Sequence, residues 1–167
     1  QNVIIKSSKP SITKIVTRAE NTKDNFSTQD DICYIITSDM PKYLENSLSK
    51  KYTIRDEMDK SLDLDKGTIL MLGLREENNN TAESIDIYDV KLNELADKKI
   101  LEIEFEYENV KNYNKIIIKY NARLARNESL VTGKEGNNNT AYLEYSNNPY
   151  QESSTQTQIS EKVTVYT

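Results

Sequence analysis

The chain has 167 residues, 36% hydrophobic and 29% charged, with a net charge of −5; that is enough for one substantial domain, and its interspersed signs argue against nucleic acid as a partner. No histidine is present, which removes the usual general base near neutral pH, the Ser-His-Asp and Cys-His nucleophile systems and every His-ligated metal site. The longest apolar run, Thr68 to Leu72, falls far short of the roughly 20 residues that a membrane-spanning helix needs, so no membrane insertion is expected.

Taken in chain order, period-two alternation marks strands at Ser11 to Thr17, Asp31 to Thr37, Tyr52 to Asp56, Thr68 to Leu74 and Ser84 to Tyr88. Cys33, the single cysteine, cannot form an internal disulfide and reads as a small buried hydrophobe within its strand. From Asp89 the spacing changes, with Leu92, Leu95, Ala96 and Lys99 on one side, which predicts a short crossover helix capped by Asp89. The clearest strand follows, with Leu101, Ile103, Phe105 and Tyr107 on one face and Glu102, Glu104 and Glu106 on the other. Lys115 to Leu124, Thr140 to Asn147 and Lys162 to Tyr166 complete eight or nine strands rich in Ile, Val, Tyr and Thr. Turn-forming clusters at Glu77 to Thr81, Gly133 to Asn139 and Gln151 to Ser160 are expected as loops. The whole reads as an all-β sandwich in one domain over residues 1–167. Asn-x-Ser/Thr triplets at Asn25, Asn79, Asn127 and Asn138 are expected by chance in so asparagine-rich a chain.

Three polar side chains fall on apolar faces. Lys14 shares a face with Ile12 and Val16, Asp56 with Tyr52, Ile54 and Met58, and Asn147 with Ala141, Leu143 and Tyr145. Taken singly, such a lysine snorkels and such an Asp or Asn caps a turn. Taken together in a dry core, desolvation disfavours charge on both ionisable groups. Such a cluster would allow the Lys14 amine to attack the side-chain carbonyl carbon of Asn147, with Asp56 hydrogen-bonding that carbonyl and relaying protons as ammonia leaves. The outcome is an amide crosslink made once, with no cofactor and no metal, driven by the effective molarity of two oriented groups. Asn148 is the neighbouring acceptor; alternation with Tyr145 favours Asn147.

These segments, in order, resemble the isopeptide-forming middle domain of Gram-positive major (backbone) pilins, a Cna-B-like, inverse immunoglobulin-type β-sandwich. KPSITKIV is similar to that family's first strand with its crosslinking lysine, here Lys14, and DDICYIITSDMP to the second, closed by Pro41. YTIRDEMDKSLDL resembles the strand with the acidic catalyst, here Asp56; IIIKYNARL and NNNTAYLEYSNNP resemble the late strands, with the acceptor at Asn147; KVTVYT resembles the strand leading into the next pilin domain. The chain departs from the family in offering Asp30 and Asp31 where Gly-Asp often precedes the second strand. The resemblance implies a shaft module of a sortase-assembled surface pilus: part of a longer multidomain pilin, extracellular in the cell wall or fimbrium, whose partners are neighbouring pilin subunits and adjacent domains of its own chain. The alternative it leaves open is an adhesive module that grips a host protein or glycan.

Two other sites fail on spacing. Setting Gly67 at the sixth position of a calcium loop puts Leu62, Leu64 and Lys66 where oxygen ligands belong. The Glu102, Glu104, Glu106 row is more simply a solvated strand face than a glycosidase carboxylate pair.

Overall fold

Strand-forming residues alternate inward and outward along most of the chain, and most such runs are strands in the computed structural model, which describes residues 9–17, 27, 29–75, 81–86, 88–126 and 135–166. In one sheet, β1 (Ile12–Thr17), β2 (Ile32–Asp39), β8 (Lys115–Leu124), β4 (Leu62–Leu74) and β5 (Ala82–Ser84) lie side by side in that order. In the other, the order is β10 (Thr155–Ile159), β9 (Asn137–Ser146), β3 (Tyr52–Asp59), β7 (Lys98–Glu104) and β6 (Asp89–Glu94), with β11 (Val163–Val165) also pairing β9. Every pairing is antiparallel. The core is closed by Ile32, Tyr34 and Ile36 of β2 and Ile116, Ile118 and Tyr120 of β8. Facing them from the second sheet are Tyr52, Ile54, Leu101, Ile103 and Leu143, all essentially without solvent exposure. The result is the all-β sandwich that the alternation predicts, with the immunoglobulin-like character that the resemblance implies.

Several local expectations change. The segment from Asp89 to Lys99 is a hairpin rather than a helix: β6 and β7 pair Leu92 with Leu101 and Val90 with Ile103, and Leu95 sits at the exposed turn with its amide bonded to the Lys98 carbonyl at 2.8 Å. The cross-strand apolar partners outweigh a helical spacing that offered one face of only three apolar residues and a lysine. The helical turn that does form, α1 (Tyr107–Val110), lies just after β7, where Tyr107 leaves the alternation and buries itself with Val110. Residues 155–159 form an edge strand inside the expected 151–160 loop, and the Asn-rich run 137–139 opens β9 instead of closing a loop. The fifth expected strand also moves, from Ser84–Tyr88 to Ala82–Ser84. Cys33 is half-buried on the outer face of β2 and is a free thiol, not a core residue. The triplets at Asn25, Asn79 and Asn127, and most of the expected 77–81 loop, lie outside the described residues.

Candidate functional site

Both sheets contribute polar groups to one point in the core. Lys14, on edge strand β1, faces inward because Ile12 and Val16 share its face. It lies opposite Ile36 in β2, which sets it diagonal to Tyr34 on the same side of the sheet. Tyr34 in turn pairs directly with Tyr120 of β8, and the two rings stack at 5.4 Å between centroids. Across the core, Asp56 of β3 pairs with Ala141 of β9, while Asn139 pairs with Met58. Asp56 and Asn139 are therefore diagonal neighbours on one inner face.

The four side chains meet. Lys14 Nζ donates to Asp56 Oδ1 at 2.5 Å and to the Tyr120 hydroxyl at 3.0 Å. The Tyr120 hydroxyl makes a short hydrogen bond to Asp56 Oδ2 and accepts from Asn139 Nδ2 at 2.7 Å. The lysine and aspartate side chains are 0% exposed, and Asn139 is 1% exposed, so no part of this cluster borders water. The rings of Tyr34 and Tyr120 wall the amine on two sides, with Nζ 4.9 and 5.2 Å from their centroids.

Burial dominates the electrostatics. Desolvation holds the Lys14 amine below its ordinary value, with the Asp56 charge and hydrogen bond pulling in the opposite direction. Burial, reinforced by Asp56, pushes the Tyr120 hydroxyl well up, and it does the same to Tyr34, where the neighbouring Asn139 amide tempers the rise. Asn139 Oδ1 is buried with no hydrogen-bond partner. That carbonyl is unsolvated in the same buried cluster as the Lys14 amine, and an unpaired buried acceptor of this kind is costly to keep.

Of the residues expected at the site, Lys14 and Asp56 are brought together and Asn147 is not. Strand β9 ends at Ser146, so the alternation that would have turned Asn147 inward stops one residue short. Asn147 is exposed; its Oδ1 accepts from Ser154 Oγ at 2.5 Å and its amide bonds the Ser154 carbonyl. Asn148 is engaged in the same turn, accepting from the Tyr150 amide at 2.9 Å. The asparagine that joins the Lys14–Asp56 cluster is Asn139, through the Tyr120 hydroxyl, eight positions earlier on the same face of the strand. Asn139, Ala141, Leu143 and Tyr145 carry the parity that would have found it, had the Asn-rich run been read as strand. Tyr120 was legible by the same route, alternating with Ile116, Ile118 and Ala122.

No protein-family model matches this sequence, and no curated protein matches it. Solved structures do match. The T6 backbone pilin of serotype M6 Streptococcus pyogenes, a modular three-domain protein, superposes with a TM-score of 0.69 at 21% identity, over 96% of this chain and 36% of its own. The C-terminal fragment of the major pilin GBS80 of Streptococcus agalactiae gives 0.70 at 15% identity, over 96% of this chain and 56% of the fragment. The N-terminal domain of the Streptococcus gordonii adhesin Sgo0707 gives 0.59 at 15% identity, over 94% and 32%. The chain thus has the fold of a backbone-pilin domain, as its resemblance to those pilins led one to expect, and spans about a third of the length of the T6 pilin.

Proposed function

We propose that this chain is one domain of a longer Gram-positive pilin, a shaft module of a sortase-assembled pilus at the cell surface, locked by an intramolecular amide between Lys14 and Asn139. The supporting observation is the convergence of Lys14, Asp56 and Asn139 on one Tyr120 hydroxyl in a core with no access to water. It is the composition of a reaction site, but its only nucleophile and its only electrophile belong to the chain itself. The module therefore works as a structural element and not as an enzyme on an outside substrate.

The bond would join β1 of one sheet to β9 of the other and close most of the chain into a single loop. By the chain-entropy model for crosslinks, a loop on the order of a hundred residues stabilises the fold by about 5 kcal/mol. A domain with one cysteine and no internal disulfide gains from it what an extracellular protein usually takes from disulfides. Tension along the chain would pass from β1 to β9 through a covalent bond, leaving the strands between them unloaded, which suits a rod of neighbouring subunits.

The test is intact mass. The folded domain should weigh one ammonia less than its sequence, and proteolysis should yield a branched peptide joining the segment of Lys14 to that of Asn139. Full sequence mass in the folded domain would overturn this function's covalent part. The adhesive alternative draws support from the likeness to the Sgo0707 adhesin domain and from Tyr150, 79% exposed beside Pro149. Saturable binding of the isolated domain to a host protein or glycan would favour it; absence of such binding together with the mass deficit would favour the shaft.

A further inference from the structure

We infer that Tyr120 is a catalytic residue of this coupling, carrying the proton from Asp56 to the departing nitrogen of Asn139; the inference rests on the crosslinking reading above. A proton must travel from the attacking amine to the leaving group, because an amide anion is too basic to leave unprotonated. The Asp56 carboxyl is hydrogen-bonded to Lys14 through Oδ1 and to Tyr120 through Oδ2, and the hydrogen bond from the Asn139 nitrogen ends on Tyr120. Lys14 Nζ, Asp56 Oδ1, Asp56 Oδ2, the Tyr120 hydroxyl and Asn139 Nδ2 thus form one continuous hydrogen-bonded chain, with nucleophile and leaving group at its ends.

The chemistry follows from the change in the amide nitrogen. In the planar amide its lone pair is delocalised and it can only donate, which is the bond it makes to Tyr120. Neutral Lys14 adds to Asn139 Cγ, the carbon becomes tetrahedral, and the same nitrogen becomes a basic amine that accepts. The hydrogen bond to Tyr120 then reverses. With the amine neutral, the pair's proton sits on Asp56; Lys14 then passes one proton to Asp56 Oδ1, the Tyr120–Asp56 bond turns so that Asp56 gives its proton from Oδ2 to the Tyr120 oxygen, and Tyr120 gives its own hydroxyl proton to Nδ2. The Cγ–Nδ2 bond breaks with its electron pair going to nitrogen, ammonia departs, and a secondary amide joins Nζ to Cγ. Asp56 and Tyr120 end as they began. Burial keeps the Tyr120 hydroxyl protonated at neutral pH, ready to serve as the donor.

The experiment follows mass against time from the moment of cell-free synthesis, in the parent chain, Tyr120→Phe and Tyr52→Phe. Tyr52 supplies the control because its hydroxyl is equally buried but bonds Ser38 at 3.0 Å, outside the cluster. Tyr120→Phe should lose ammonia about 10²- to 10⁴-fold more slowly than the parent, the range for general acid–base assistance, while Tyr52→Phe keeps the parental rate. A parental rate in Tyr120→Phe overturns the role, and so does equal slowing in both variants, which would report loss of any buried hydroxyl. A parent that never loses ammonia overturns the crosslink itself. Should Tyr120→Phe fail to fold by circular dichroism, the parent in D₂O decides: a slowed rate that curves with deuterium fraction supports protons moving in concert, and an unchanged rate overturns the relay.

Discussion

The two ends of strand β9 carry the same residue in opposite circumstances. Asn139, near its start, is 1% exposed and hydrogen-bonds Tyr120, whereas Asn147, just past its end, is exposed in a turn with Ser154. Both positions have the parity of the core-facing residues Ala141, Leu143 and Tyr145. Parity assigns a side chain to a face only while the strand keeps its partners: β3 pairs β9 from Tyr145 back to Asn139, and beyond Ser146 the chain turns away. An inward-facing asparagine inside the ladder is forced into contact with what lies across the core. One residue outside it, the same side chain satisfies itself locally.

Breaking the buried end should have the largest effects. Asp56→Ala removes the proton acceptor and leaves Lys14 buried without its carboxylate, so the full sequence mass should return. Unfolding should come at a temperature lower by at least the roughly 10–20 °C that loss of a tether worth about 5 kcal/mol implies for a domain of this size; the unpaired buried lysine adds to that loss. Asn139→Ala should also restore the mass but destabilise somewhat less, since the Lys14–Asp56 pair survives it. Intact mass and thermal melts check both, and a mass deficit persisting in Asn139→Ala would move the acceptor elsewhere.

A smaller effect sharpens the comparison through pH. In Asp56→Ala the Lys14 amine remains free and buried, with the desolvation that lowers its pKa no longer opposed by Asp56. The unfolded chain then binds more protons than the folded one between the depressed folded value and the ordinary 10.5. Stability should rise with pH across that window, by up to about 1.4 kcal/mol per pH unit, and level off above it. In the parent, crosslinked as proposed, Lys14 would be an amide that does not titrate, so this rise should be missing from its curve. Melting both proteins from pH 7 to pH 11 and taking the difference isolates the lysine; coincident slopes would mean that Lys14 has the same state in both.

How far the sequence discloses the site follows from the same ladder. Lys14 and Asp56 lie well inside strands whose flanking residues are Ile, Val, Tyr and Met, and their inward direction needs nothing but alternation. Asn139 was hidden because Gly136 followed by three asparagines has the composition of a turn, and only pairing with Met58 in β3 makes that run a strand. The hairpin at Asp89–Glu104 was obscured likewise, its strand character resting on the pairing of Leu92 with Leu101 and Val90 with Ile103 across the turn and not on a clean alternation in Asp89–Lys99. Tyr120 was assigned to a strand correctly, yet its hydroxyl acquires meaning only when the other sheet brings Asp56 and Asn139 to it. Local pattern discloses faces; which faces oppose each other is a property of the assembled sandwich.

The smallest expected effect lies at the exposed end. Asn147→Ala removes a hydrogen bond from Ser154 Oγ that water can replace, since the side chain is exposed and no core group depends on it. The backbone bond from the Asn147 amide to the Ser154 carbonyl does not involve the side chain and persists. Stability should therefore change by less than about 1 kcal/mol, and the mass deficit of one ammonia should remain whole. Asn148→Ala should behave in the same way, losing only its contact with the Tyr150 amide. If Asn147→Ala instead restored the full mass while Asn139→Ala kept the deficit, the turn after β9 would have to fold inward onto Lys14, and the assignment of the two asparagines would be reversed.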